Sequence, residues 1–131
     1  MKKLWIAAGL AVAMSSTAHA CNTELLSLVD WEAAENAGSA LIPVTLVAKV
    51  QYNGSRPYRM IHAGVILADV LGEGLGQVNL NRDQTVSPGE VVEANGFVGA
   101  EERLLTVNRD DIVGSTCVWS IVYSDGQVEE F

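Results

Sequence analysis

Residues 41–74, LIPVTLVAKVQYNGSRPYRMIHAGVILADVLGEG, restrict this chain more than any other stretch. Val44, Leu46, Ala48, Val50 and Tyr52 alternate with Thr45, Val47, Lys49 and Gln51. A period of two puts successive side chains on opposite faces, so this run predicts a half-buried strand. Asn53, Gly54, Ser55, Arg56 and Pro57 then supply turn chemistry, because Asn and Gly tolerate positive φ and Pro fixes φ near a turn value. A second apolar run has Ile61, Ala63, Val65 and Leu67 on one face and ends at Asp69 and the glycines Gly72, Gly74 and Gly76. The pair reads as a long hairpin whose apolar face needs a second layer to cover it.

The remaining segments suit that layer. A strand is expected over residues 25–31, then a loop or helical turn through Gly38, where the Ala and Glu residues also permit a short helix. Short strands are expected over Gln77–Arg82, Val91–Val98 and Arg103–Val107, and a polar loop over Asn108–Thr116. Cys117, Trp119, Ile121 and Tyr123 alternate with Val118, Ser120, Val122 and Ser124, which predicts a strand with Trp119 packed in the core. Ser87-Pro88-Gly89-Glu90 reads as a type II turn and Ser124-Asp125-Gly126-Gln127 as a hairpin turn, leaving Val128–Phe131 as a short edge. About seven short strands separated by turns predict an all-β fold, an immunoglobulin-like antiparallel β-sandwich. An outer-membrane barrel is the competing architecture. Its eight strands of about ten residues scarcely fit this chain, and Glu129 and Gln127 stand where a barrel's last strand needs apolar residues.

The first twenty residues read as an export signal. Lys2 and Lys3 precede an apolar run, Leu4–Met14, and Ala18-His19-Ala20 is a small-x-small cleavage site. The run is shorter than the roughly twenty residues that span a bilayer. Residues 1–20 are therefore expected to be cleaved, leaving 21–131 as a single domain, periplasmic or secreted. Without the signal, 6 basic side chains face 16 acidic ones, a formal charge of −10. With no basic patch, the composition argues against nucleic acid and anionic lipid as partners. Two cysteines remain, Cys21 and Cys117. An exported chain with an even count predicts a disulfide between them. A lipid anchor on Cys21 is the alternative, though Ala18 stands where a lipoprotein signal usually has Leu.

Candidate chemistry is sparse. His62 is the one histidine after the signal, and with no nucleophile motif nearby it reads as a surface or packing residue rather than a catalytic base. The cysteines lack redox or zinc-ligand spacing. Glu101-Glu102, Asp110-Asp111 and Glu129-Glu130 read as solvated surface, as do Asn79, Asn81 and Asp83, whose alternation faintly matches the start of a calcium loop. Trp31, Trp119 and Tyr123 are the aromatic residues able to stack on a sugar or a partner. No catalytic, cofactor or metal residues are assigned.

The turn Asn53-Gly54-Ser55-Arg56-Pro57, the segment Val65-Ile66-Leu67-Ala68-Asp69, the turn Ser87-Pro88-Gly89-Glu90 and the closing Val122-Tyr123-Ser124-Asp125-Gly126 together resemble the FxLYD-type domain. That is a small β-sandwich module of exported bacterial proteins, related in fold to late-embryogenesis-abundant proteins. Leu67 and Asp69 stand at signature positions, while its two aromatics are replaced here. The resemblance covers most of residues 41–126 and implies a sandwich without catalytic residues. The expected function is a non-catalytic binding or structural protein of the bacterial cell envelope. The alternative is a periplasmic chaperone or assembly inhibitor resembling the small immunoglobulin-like proteins of the curli system. An envelope protein is the expected partner, a neutral or basic extended segment of it added as a strand along one sandwich edge; the uncharged Cys117–Tyr123 strand offers an attractive edge where exposed.

Overall fold

The computed structural model describes residues 20–95 and 100–131. The expected signal peptide lies outside them apart from Ala20, as does the end of the strand expected over Val91–Val98. Seven strands form two antiparallel sheets, β1 (Leu26–Glu35), β2 (Val44–Tyr52), β3 (Tyr58–Asp69), β4 (Gly74–Asn79), β5 (Val91–Ala94), β6 (Ile112–Tyr123) and β7 (Val128–Glu130). The sheet orders are β1-β2-β5 and β4-β3-β6-β7, so the all-β sandwich of seven strands is present. No helix among the described residues is long and apolar enough to cross a membrane.

Both alternation patterns hold. Val44, Leu46, Ala48, Val50 and Tyr52 are buried on β2, and Ile61, Ala63, Val65 and Leu67 on β3. The hairpin does not form. β2 pairs with β1 and β5, β3 pairs with β4 and β6, and the two strands lie in opposite sheets. The 53–57 turn is an arch, and the apolar faces of β2 and β3 both contribute to the one core between the sheets. The cause lies in what the turn bonds to. The Asn53 N–H donates to Leu25 O at 2.8 Å, and its amide donates to Glu24 O and Ser27 Oγ, so the turn is tied to the start of β1. The Tyr52 hydroxyl donates to Arg56 O at 2.6 Å, and its ring meets that of Tyr58 edge-on at 4.9 Å. Gly54 lies against the Tyr52 ring, where a Cβ would collide with it.

Three local expectations are overturned. First, β1 runs on to Glu35 where a loop or helical turn was expected, with a bulge at Val29. Pairing with β2 from Glu35 onward satisfies this backbone and puts Ala33 against the core, which outweighs the helix propensity of Ala and Glu. Second, Arg103–Thr106 is one helical turn, α1, rather than a strand. Leu104 alone is buried, Leu105 is exposed, and Arg103 donates to Asp69 at 3.1 Å and Glu73 at 3.2 Å. Third, the loop expected over Asn108–Thr116 is a single 3-10 turn, Arg109–Asp111, after which β6 begins. Val113–Thr116 pair with Ala68–Val65, and Leu28 fills the space above Gly114 that a Cβ would occupy.

The turn over Ser87–Glu90 stands as expected, with Gly89 at φ 84° and the Glu90 N–H donating to Ser87 O at 3.1 Å. The hairpin after Tyr123 instead turns through a three-residue loop, Ser124–Gly126, with the Gly126 N–H donating to Tyr123 O at 2.9 Å and Gly126 at φ 91°. Cys21 and Cys117 form a disulfide, with Cα atoms 5.3 Å apart and a separation of 96 in sequence. Next to it, Asn22 and Val118 exchange two backbone hydrogen bonds at 2.8 and 2.9 Å, and the Phe131 N–H donates to Trp119 O at 3.0 Å. Three consecutive residues of β6, Cys117, Val118 and Trp119, are thus each held by the segment before β1 or the residue after β7.

Candidate functional site

The two sheets present different faces to solvent. On β1, β2 and β5 the outward positions include Asp30, Glu32, Lys49 and Glu93. With Val47 and Trp31 they line a shallow hollow of about 220 Å³. On the four-stranded sheet the residues alternating with the buried set are Met60, His62, Gly64 and Ile66 on β3 and Gln77 and Asn79 on β4. β6 adds Val113, Ser115, Trp119 and Val122. Among the strand residues on this face only Arg59 and Glu130 carry charge. Met60 is 40% exposed, Val113 53% and Val128 60%. For a chain so acidic, this near-neutral, partly apolar surface is the outlier. A weakly charged face loses less hydration on burial than a charged one, which makes it the better candidate for contact with a partner.

Trp119 sits on this face, not in the core as alternation predicts. His62 is opposite Ser120 and Ala63 opposite Val118, so Trp119 is the extra residue of a β-bulge. The bulge switches the parity of β6: Thr116 and Val118 point inward before it, Ile121 and Tyr123 after it. The Trp119 ring lies 4.7 Å from that of His62, tilted by 38°. Its far edge reaches over Gly64, where an added Cβ would meet Trp119 Cη2 at 3.3 Å and Asn79 Oδ1 at 2.8 Å. The Gln77 amide donates to Asn79 Oδ1 at 3.1 Å. Gly64 is therefore the residue that lets an indole and an amide close over the middle of the sheet. The alternation in sequence contains no mark of the bulge, which is why this grouping is found only in three dimensions.

The other sequence candidates do not converge. Trp31 is covered by the Arg109 guanidinium at 3.9 Å, which also donates to Asp30 Oδ1 and Trp31 O. Tyr123 is covered by Arg56 at 3.7 Å, and its hydroxyl donates to Glu129 at 2.7 Å. Burial, first, and then that bond raise the Tyr123 pKa. Burial pushes Tyr58 up to about 12. His62 is exposed, and among the described residues no hydrogen bond joins it to Ser120 or to a carboxylate. Asn79 and Asn81 are engaged separately, the latter by the Asp83 N–H. Among the described residues no three His, Cys, Asp or Glu side chains are grouped to hold a metal ion.

The edge expected to accept a strand is occupied. β7 pairs with Ser120–Val122, and Asn22 takes both backbone groups of Val118. None of the protein-family models, curated proteins or solved structures compared with this chain matches it.

Proposed function

We propose that this chain is an exported, non-catalytic binding protein of the bacterial cell envelope, and that it binds through the outer face of its four-stranded sheet. One observation carries the reading: in a domain with a formal charge of −10, charge is nearly absent from a single face that holds Trp119, His62 and exposed Met60, Val113 and Val128. Desolvating such a face costs little, whereas the charged outer face of the other sheet resists burial. The leader-like start and the Cys21–Cys117 disulfide support an oxidising, exported location. The resemblance to FxLYD-type modules supports the same setting. Strand addition on β6, the mode of an assembly chaperone, would require β7 and Asn22 to be displaced first.

Hydroxyl-radical footprinting tests the reading, since Met, His and Trp side chains are readily oxidised. With an isolated envelope fraction added to the mature protein, oxidation of Met60 and His62 should fall while that of Leu71 at the sheet end stays constant. Protection confined to Trp31 and the three-stranded sheet would overturn it.

A further inference from the structure

The centre of the four-stranded face offers two primary amides, Gln77 and Asn79, the Ser120 hydroxyl and the His62 imidazole around the Trp119 indole. It offers no lysine, and the charges on the face stand at its borders, Glu130 opposite Ser120 on the edge strand β7 and Arg59 beside Met60. Amides and hydroxyls both donate and accept hydrogen bonds, and an imidazole adds a further ring N–H donor. An aromatic face bordered by such groups suits a ligand with an apolar C–H face and hydroxyls along its edge. A hexopyranose ring has that form. Its C–H face would stack on the indole and its hydroxyls would reach the amides. The groups are spread over β3, β4 and β6, so they suit a chain of sugars lying across the strands better than a single ring. The acidic remainder of the molecule disfavours anionic polymers. The exposed apolar residues stand at the ends of the face, Met60 and Val128 at one and Val113 at the other. A protein partner that needs a continuous apolar centre would find it interrupted. We propose that the Trp119–His62–Asn79 surface binds an uncharged oligosaccharide. This rests on the reading of the face given above and deepens it.

The test uses isotope-labelled mature protein with its disulfide intact. Cellohexaose, chitohexaose, maltohexaose and laminarihexaose are each added to about 5 mM, enough to detect millimolar binding. At least one should shift the Trp119 indole N–H and the amides of His62, Gly64 and Asn79 saturably. Trp119→Ala should then weaken binding about tenfold. Gly64→Ala, which removes no polar group but forces the indole and the Asn79 amide apart, should also weaken it, and Trp31→Phe should leave it unchanged. No saturable shift with any of the four sugars, shifts centred on Trp31, or an affinity indifferent to both Trp119→Ala and Gly64→Ala would overturn the inference. If the sugars fail while crosslinks from this face join the chain to a protein in cells, the inference falls and the binding face stands. If no crosslink forms from this face either, both fall.

Discussion

Asp69 closes the β3–β4 turn by itself. Its carboxylate accepts the N–H groups of Leu71 and Glu73 at 3.0 Å and the Arg103 guanidinium at 3.1 Å. The Glu73 N–H, first, and then Arg103 and the Leu71 N–H outweigh its burial and hold its pKa below the usual 3.8. The unfolded chain thus binds a proton at Asp69 more readily than the folded one. The stabilisation is complete above about pH 4 and is lost as pH falls through the lowered folded value. Asp69→Asn should therefore flatten the stability profile below about pH 4, measured by urea unfolding at each pH. An unchanged slope would show that the turn does not depend on the charge. Asp69 was legible in the sequence as the end of a strand, but its partners were not, because Arg103 is 34 positions away. Trp119 was misread for a different reason. Cys117, Trp119 and Ile121 all look like core residues, and only the pairing of His62 with Ser120 reveals that the parity changes between them.

At the scale of elements, the strands of 41–74 were readable because the period of two is local, and the sheets they belong to were not, because pairing is decided by distant partners. Turn residues specify a reversal without specifying hairpin or arch. Here the bond from Asn53 to Leu25 selects the arch. Propensity failed at β1 and α1 in opposite senses, as Ala33 and Ala34 pair in a strand and Leu104 and Leu105 coil. β7 was expected as a short edge and is one, yet it covers the part of β6 that carries the bulge. Removing residues 128–131 should cost about 2–3 kcal/mol in lost ladder bonds and leave Ser120–Val122 open to pairing. Light scattering should then show concentration-dependent self-association that is absent from the full chain. A truncated protein that stays monomeric and equally stable would mean that β7 contributes neither shielding nor structure.

For the whole molecule, the segment before β1 and the residue after β7 meet on β6 beside the bulge: Cys21 on Cys117, Asn22 on Val118 and Phe131 on Trp119. The disulfide closes nearly the entire domain, and for a loop of this length the chain-entropy model gives about 4–5 kcal/mol. Reduction should lower the melting temperature by roughly 10 °C or more and broaden the Trp119 resonances. An unchanged melting temperature would show that the termini add little. A mass fitting an unlipidated chain that begins at Cys21 would exclude the lipid anchor. Two sheets and one closing bridge leave one nearly uncharged face, proposed above as the surface through which the protein binds. Site-specific photo-crosslinking in intact cells tests that proposal most directly. A benzophenone amino acid is placed at Val113 and Val122 on the four-stranded face, and at Thr45 and Gln51 on the other. Crosslinked species should arise from Val113 and Val122 only; species arising only from Thr45 and Gln51 would contradict the account.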